Sequence, residues 1–180
     1  MIQRKQTLFL LLAACAMAMC FMFPIASFQA VAPSLGDRPV SGELNLVAKD
    51  VPDTQMQILN GDPIVVGQKG YGVTVWPLLA LTILIEVVAV GSIFMFRKRP
   101  QQMRVVSGAF LLCLVDIFLI FIWIVDEFVS KTTAPLQCSD IHTTYGLGTW
   151  LPVVALVFLF LAQRSIKQDE EKVRAADRLR

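Results

Sequence analysis

Residues 75–96 read VWPLLALTILIEVVAVGSIFMF, an apolar run interrupted by a single charge, Glu86. At ~1.5 Å per helical residue, about twenty residues cross the ~30 Å hydrocarbon core of a bilayer. Inside lipid each backbone amide needs an internal partner, so the run is predicted to be a helix. Three further runs have the same character: residues 8–28, 105–125 and 147–163. The last is the shortest and carries Pro152 near its start, where first-turn amides lack partners in any case. With 180 residues, 56% of them hydrophobic, the chain has the length of one domain and more apolar content than a soluble one. The expected fold is an all-α membrane protein, a four-transmembrane-helix bundle forming a single membrane domain.

Charge sets the orientation. Of sixteen Lys and Arg, twelve flank the runs on one side: Arg4 and Lys5, then Arg97 to Arg99 and Arg104, then six between Arg164 and Arg180. Arg38, Lys49, Lys69 and Lys131 lie on the other side, together with eight acids. The positive-inside rule therefore places both termini in the cytoplasm. The aromatic residues agree with this. Trp76, Trp123 and Trp150, with Tyr71 and Tyr145, fall at the outer ends of the second, third and fourth spans, as interface anchors do. A bacterial inner membrane, with loops 29–74 and 126–146 in the periplasm, is the expected location.

The apolar run that follows Arg4 and Lys5 continues past Cys15 to Phe28, too far for a secretory leader, so it is expected to stay as an anchor. Ala14 with Ala18, and Ala16 with Cys20, give small residues at four-residue spacing, a helix-packing signal. Cys15, Cys20 and Cys113 lie in spans and are expected to act as small apolar groups. Cys138 alone lies outside them, so no disulfide between outer loops forms within one chain. It is free or pairs with another molecule.

In the first outer loop, residues 43–48 and 54–59 alternate as half-exposed strands, Asn60 to Pro63 is a turn signal, and Ile64 to Val66 reads as a return strand. A small antiparallel β-element is expected there. The second outer loop, around Cys138, Asp140 and His142, reads as irregular and polar. Cys138 and His142, four apart, are too few to define a metal site. Residues 164–180 hold good helix formers with no Gly or Pro, so the last helix is predicted to continue as a basic cytoplasmic tail.

The opening residues 1–14, MIQRKQTLFLLLAA, and the closing residues 166–180, IKQDEEKVRAADRLR, resemble a bacterial family of short four-helix membrane proteins. That family is described as a domain of unknown function. The likeness extends to the long first loop and to residues 146–150, GLGTW, at the entry to the last helix. It implies an inner-membrane protein and supplies no activity.

Chemistry is sparse. The sequence has no phosphate-binding loop, no His-rich metal motif, and one histidine in all. No enzymatic role, cofactor or metal is expected. The sharpest feature is two acids, Glu86 and Asp116, at matching depths in consecutive antiparallel spans, with Thr82 one turn from Glu86. An intramembrane charge costs ~2.5–3.5 kcal/mol on insertion scales, so such acids face the interior, are protonated, or both. Two functional classes follow. The first is an assembly or interaction protein acting through its periplasmic loop and basic tail. The second is a small oligomeric proton- or cation-coupled transporter using the carboxylate pair. The expected partners are the lipid bilayer and either another protein or further copies of this chain, with no nucleic acid.

Overall fold

The computed structural model describes residues 3–33, 38–47, 64–66, 75–95, 99–134 and 137–178. In order, these form α1 (Gln3–Met19), β1 (Ala26–Ala32), β2 (Arg38–Leu44), β3 (Ile64–Val66), α2 (Trp76–Phe94), α3 (Arg99–Phe118), a π-helical turn (Leu119–Ile124), α4 (Val125–Thr133), β4 (Ser139–Tyr145) and α5 (Leu147–Arg178). The chain divides into two compact units. One comprises Met1–Met19, Ala80–Ile117 and Leu151–Arg180, and the other Cys20–Leu79 and Phe118–Trp150.

The first unit is helical. Its core is a set of seams spaced alternately three and four residues apart: Val106, Ala109 and Cys113 on α3, and Ala155, Leu159, Ala162 and Ile166 on α5. Leu10, Ala13, Ala16 and Met17 of α1 and Ile85 of α2 complete it. Small residues recur along the seams, which lets helix backbones approach closely. The outward faces are as apolar as the core. Ile83, Leu84, Val87 and Val90 on α2, Leu111, Leu114 and Val115 on α3, and Val154, Val157 and Phe160 on α5 are all exposed. That arrangement is unfavourable in water and neutral in lipid. Three helical stretches, Trp76–Phe94, Pro100–Lys131 and Leu147–Val173, are long and apolar enough to cross a membrane.

The first apolar run departs from expectation. The helix ends at Met19, and its apolar part, Lys5–Met19, is shorter than the other three. The expected span to Phe28 is cut by Pro24, whose ring removes a backbone donor and disfavours helix at the preceding residue. Beyond it, Ala26 to Ala32 alternate between buried and less buried positions, the two-residue period of a strand.

The second unit holds a four-stranded sheet in the order β3-β2-β1-β4. The β-element therefore starts earlier than residue 43 and draws a strand from the second loop, which is not irregular. β1 pairs antiparallel with both β2 and β4, while β3 pairs parallel with β2, so only the three main strands are antiparallel. Residues 54–59, read as a strand, lie outside the described residues. Phe28 crosses over Gly42, its partner in the β1–β2 register, where any Cβ would collide with the ring. Phe28 also meets Phe128 of α4 edge-on, with ring centres 5.5 Å apart and both side chains buried.

The third helix runs from α3 through the π turn into α4 without a break, beyond the expected end at residue 125. Inside the π turn the Val125 amide donates to the Ile120 carbonyl, five residues back. The wide turn re-phases the helix, so that Ile124, Val125 and Phe128 are buried while Asp126 is exposed. Glu127 and Lys131 close a salt bridge of 2.6 Å one turn apart.

Candidate functional site

The helical unit buries polar groups along its seams at several levels. Among the four polar residues so placed on α2 and α3, Thr82 and Ser92 of α2 follow the same three- and four-residue spacing as Ile85 and Ala89, which selects their face. Gln102 and Asp116 extend the α3 seam of Val106, Ala109 and Cys113.

Asp116 is the most isolated of these groups. Its side chain is 1% exposed, and its Oδ1 accepts a hydrogen bond from the Thr82 hydroxyl at 3.4 Å. Its Oδ2 has no hydrogen-bond partner among the described residues. Glu86, expected to converge with it, lies one position past the buried Ile85 and is only half-buried. One residue is ~100° of helical rotation, enough to move a side chain from the seam to its shoulder. Thr82 thus meets Asp116, and Glu86 joins no hydrogen bond with it.

Four hydrogen bonds were not anticipated from the sequence. Gln6 Nε2 of α1 donates to Asp169 Oδ2 of α5, with both side chains buried. Asp169 lies in the stretch read as a polar tail, so the start of that tail is packed rather than solvated. Near the link between α2 and α3, Gln102 Nε2 donates to the Ser92 carbonyl at 3.0 Å, while Ser92 Oγ donates to the Ala89 carbonyl at 2.6 Å. On the flank of α3 and α5, Gln163 Nε2 donates to Ser107 Oγ at 2.9 Å. The available signal was seam spacing: Gln102 lies four residues before Val106, and Asp169 three after Ile166.

Two buried thiols lie against the α5 backbone near Pro152, and proline chemistry explains one of them. Pro152 has no N–H, so the Gly148 carbonyl loses its helical donor. The buried Cys20 thiol stands in at 3.9 Å. The Cys113 thiol donates to the Pro152 carbonyl at 3.2 Å. Of the small residues expected to pack α1, Ala14, Ala16 and Cys20 are buried, but Ala18 is exposed, and Ala13 is buried in its stead.

In the sheet-bearing unit, the entry to α5 is bound to the turn before β1. The Gly146 and Gly148 amides donate to the Ile25 and Pro24 carbonyls at 2.7 and 2.9 Å, and the buried Thr149 hydroxyl donates to the Ile25 carbonyl. A Cβ on Gly148 would lie 2.7 Å from the Pro24 oxygen and 2.8 Å from that of Phe23. Trp76, Trp123, Trp150 and Tyr145 all belong to this unit and are all exposed. Phe121 joins two of them, its ring centre 5.2 Å from Tyr145 and 6.3 Å from Trp150. Tyr71, the fifth expected anchor, lies outside the described residues.

β4 occupies an edge of the sheet, and all seven of its residues are exposed. A bulge between Gln29 and Val31 shifts its register, with Asp140 in the left-handed region at φ 48°. His142 lies past this bulge, opposite Gln29. Cys138 lies before the strand and His142 within it, so the two do not share a helix face. Among the described residues no three His, Cys, Asp or Glu side chains cluster to hold a metal. Burial pushes the Cys138 thiol pKa above its ordinary range.

These features define a mostly helical protein with three membrane-length helices, a small sheet, and buried polar groups along the helical seams. A family model described as a domain of unknown function (DUF4293) matches residues 2–179, and the chain belongs to that family. No curated protein matches it.

Proposed function

We propose that this chain is a non-enzymatic assembly or interaction protein of the bacterial inner membrane. Four helices cross the bilayer with both termini in the cytoplasm, and the sheet lies on the periplasmic side. The three membrane-length helices and the apolar outward faces support membrane insertion. The exposed aromatics of the sheet-bearing unit fit a periplasmic interface belt.

The observation that carries the interaction reading is β4. An exposed edge strand offers unpaired amides and carbonyls to an extended segment of another protein, which adds as a further strand. The bulge at Asp140 turns the first half of β4 aside and leaves His142 to Tyr145 as the docking stretch. The basic tail offers a second, cytoplasmic contact through exposed Lys167 and Lys172.

A photo-reactive residue at Thr143 tests this in intact membranes. It should crosslink to one defined protein, and Thr144→Lys in the same background should remove the product. The same probe at Glu43, on the interior strand β2, should give none. Equal crosslinking at 43 and 143 would end the edge-docking reading, and a product of twice the chain mass would make the partner a second copy.

A proton or cation path is the second reading, and the unpartnered Oδ2 of Asp116 favours it. It now rests on one fully buried carboxylate rather than on two.

A further inference from the structure

The outward face of α2 carries a pattern beyond its apolar character. Ala80, Ile83, Val87, Val90 and Phe94 are all exposed and follow one another at steps of three and four, the spacing of a coiled-coil seam. Each helical residue turns by ~100°, so Glu86 flanks this stripe on one side of Val87 and Gly91 flanks it on the other. Glu86 is half-buried, and none of the hydrogen bonds or ion pairs among the described residues involves its carboxyl. Gly91 is exposed, and a Cβ there would meet nothing within 4 Å, as at Gly108 of α3. Helical side chains lean over the turn that precedes them, so the absent one uncovers the backbone of that turn and with it the Val87 carbonyl.

We infer that this face of α2 docks on the same face of a second copy of the chain. The inference rests on the membrane reading above. Two copies inserted with one orientation are related by a two-fold axis along the bilayer normal, so their α2 helices pack parallel. In a parallel pair the seam residues meet, and a flank residue of one helix faces the residue five further on in its partner, on the opposite flank. Five residues after Glu86 comes Gly91. The pairing therefore sets each Glu86 side chain over the bare backbone of the other copy, twice across the axis. A carboxyl left against acyl chains at this depth is costly, and in its protonated form it has one O–H to donate. The Val87 carbonyl of the second copy has a lone pair beyond its helical bond to accept it. Within one helix the two flank positions diverge by ~140° and cannot meet. Each copy thus carries both halves of the contact, and only another copy brings them together.

Oxidative crosslinking of the full chain in native membranes tests this, with Cys15 and Cys138 replaced by Ala and one new cysteine added at a time. Val87→Cys should give a disulfide dimer of twice the chain mass. Val115→Cys on α3 and Val157→Cys on α5, also at exposed positions, should not. In the Val87→Cys background, Glu86→Leu and Gly91→Leu should each lower the dimer about tenfold, the factor expected from losing two hydrogen bonds between membrane helices. Glu86→Gln keeps a donor and should retain the dimer. Equal dimer at all three cysteine positions, dimer unchanged by Glu86→Leu, or a loss as large with Glu86→Gln would overturn the inference. So would a Val87→Cys adduct with a different protein in place of the dimer. Alkaline carbonate extraction separates the two readings. A parent protein stripped from membranes would overturn membrane insertion and the α2 contact together. A protein that stays in the membrane without dimer at position 87 would overturn the contact alone.

Discussion

A carboxyl group closed off from solvent, with one hydroxyl donor at 3.4 Å, ties α2 to α3 through Asp116 and Thr82. Hydrogen bonds between membrane helices contribute ~0.6 kcal/mol on average, so this link orients the helices more than it stabilises them. Asp116→Asn keeps an acceptor for Thr82, and Glu86→Gln alters only a half-buried shoulder position. Both variants should therefore insert and fold, with stability changes near ~0.6 kcal/mol or less in detergent unfolding. Liposomes holding a pH dye under an imposed potential should show no proton flux for the parent chain. Flux in the parent that disappears in Asp116→Asn would instead establish the transport reading. That the stretch around Thr82 lies level with Asp116 was legible in the sequence, because counting from the basic flanks measures distance along a helix. Their phase was not. Nearly every residue of 75–96 is apolar, so no polar face marks which side turns inward.

Among the elements, the boundary between α1 and β1 shows why length alone misleads. An unbroken apolar run to Phe28 has the extent of a membrane helix, but Pro24 and the alternation from Ala26 onward carry the opposite signal. Alanine at 26, 30 and 32, where only Phe28 among the buried positions is strongly apolar, keeps that alternation faint. β4 was illegible for another reason. Its residues are exposed and mostly polar, and its place in the sheet comes from pairing with a strand distant in sequence, which no local pattern records. The entry to α5 was partly legible, since residues 146–150 stood out as a family-like stretch whose glycines now have a steric reason. Gly148→Ala should lower stability by about 1–3 kcal/mol, the usual cost of forcing a methyl into a packed site. Gly108→Ala, facing open space, should leave stability unchanged or raise it by up to ~1 kcal/mol through helix propensity. The two melting temperatures in one detergent check this, and equal shifts would refute the steric account.

For the whole molecule, membrane orientation is the property with the widest reach, and the four cysteines report on it. Cys138 is half-buried and lies between α4 and β4, while Cys15 is exposed on the apolar face of α1. In intact cells a membrane-impermeant maleimide should label Cys138 from the periplasm and leave Cys15, Cys20 and Cys113 untouched. Thiolate is the reacting form, and burial raises the Cys138 pKa, so labelling should be slow at neutral pH and accelerate as pH rises. Cys15 is the internal control, because its exposure is to lipid only if the helices are inserted. Labelling of Cys15 as fast as Cys138, or of Cys138 only after the cytoplasm is opened, would refute the orientation.

The origin of the sheet also sets an order of events during synthesis. β1 and β2 are near neighbours in sequence and can pair early, but Gln29 must wait for His142. At ~5–20 residues per second, the intervening stretch of more than a hundred residues takes roughly 5–20 s to emerge. Throughout that interval the second edge of β1 has no partner strand, while α2 and the long third helix are being made. Only when β4 has been synthesised can that edge close, and the amides of Gly146 and Gly148 then fasten the start of α5 to the Pro24–Ile25 turn. The sheet is thus completed late in synthesis, by a strand made after all but the last of its helices.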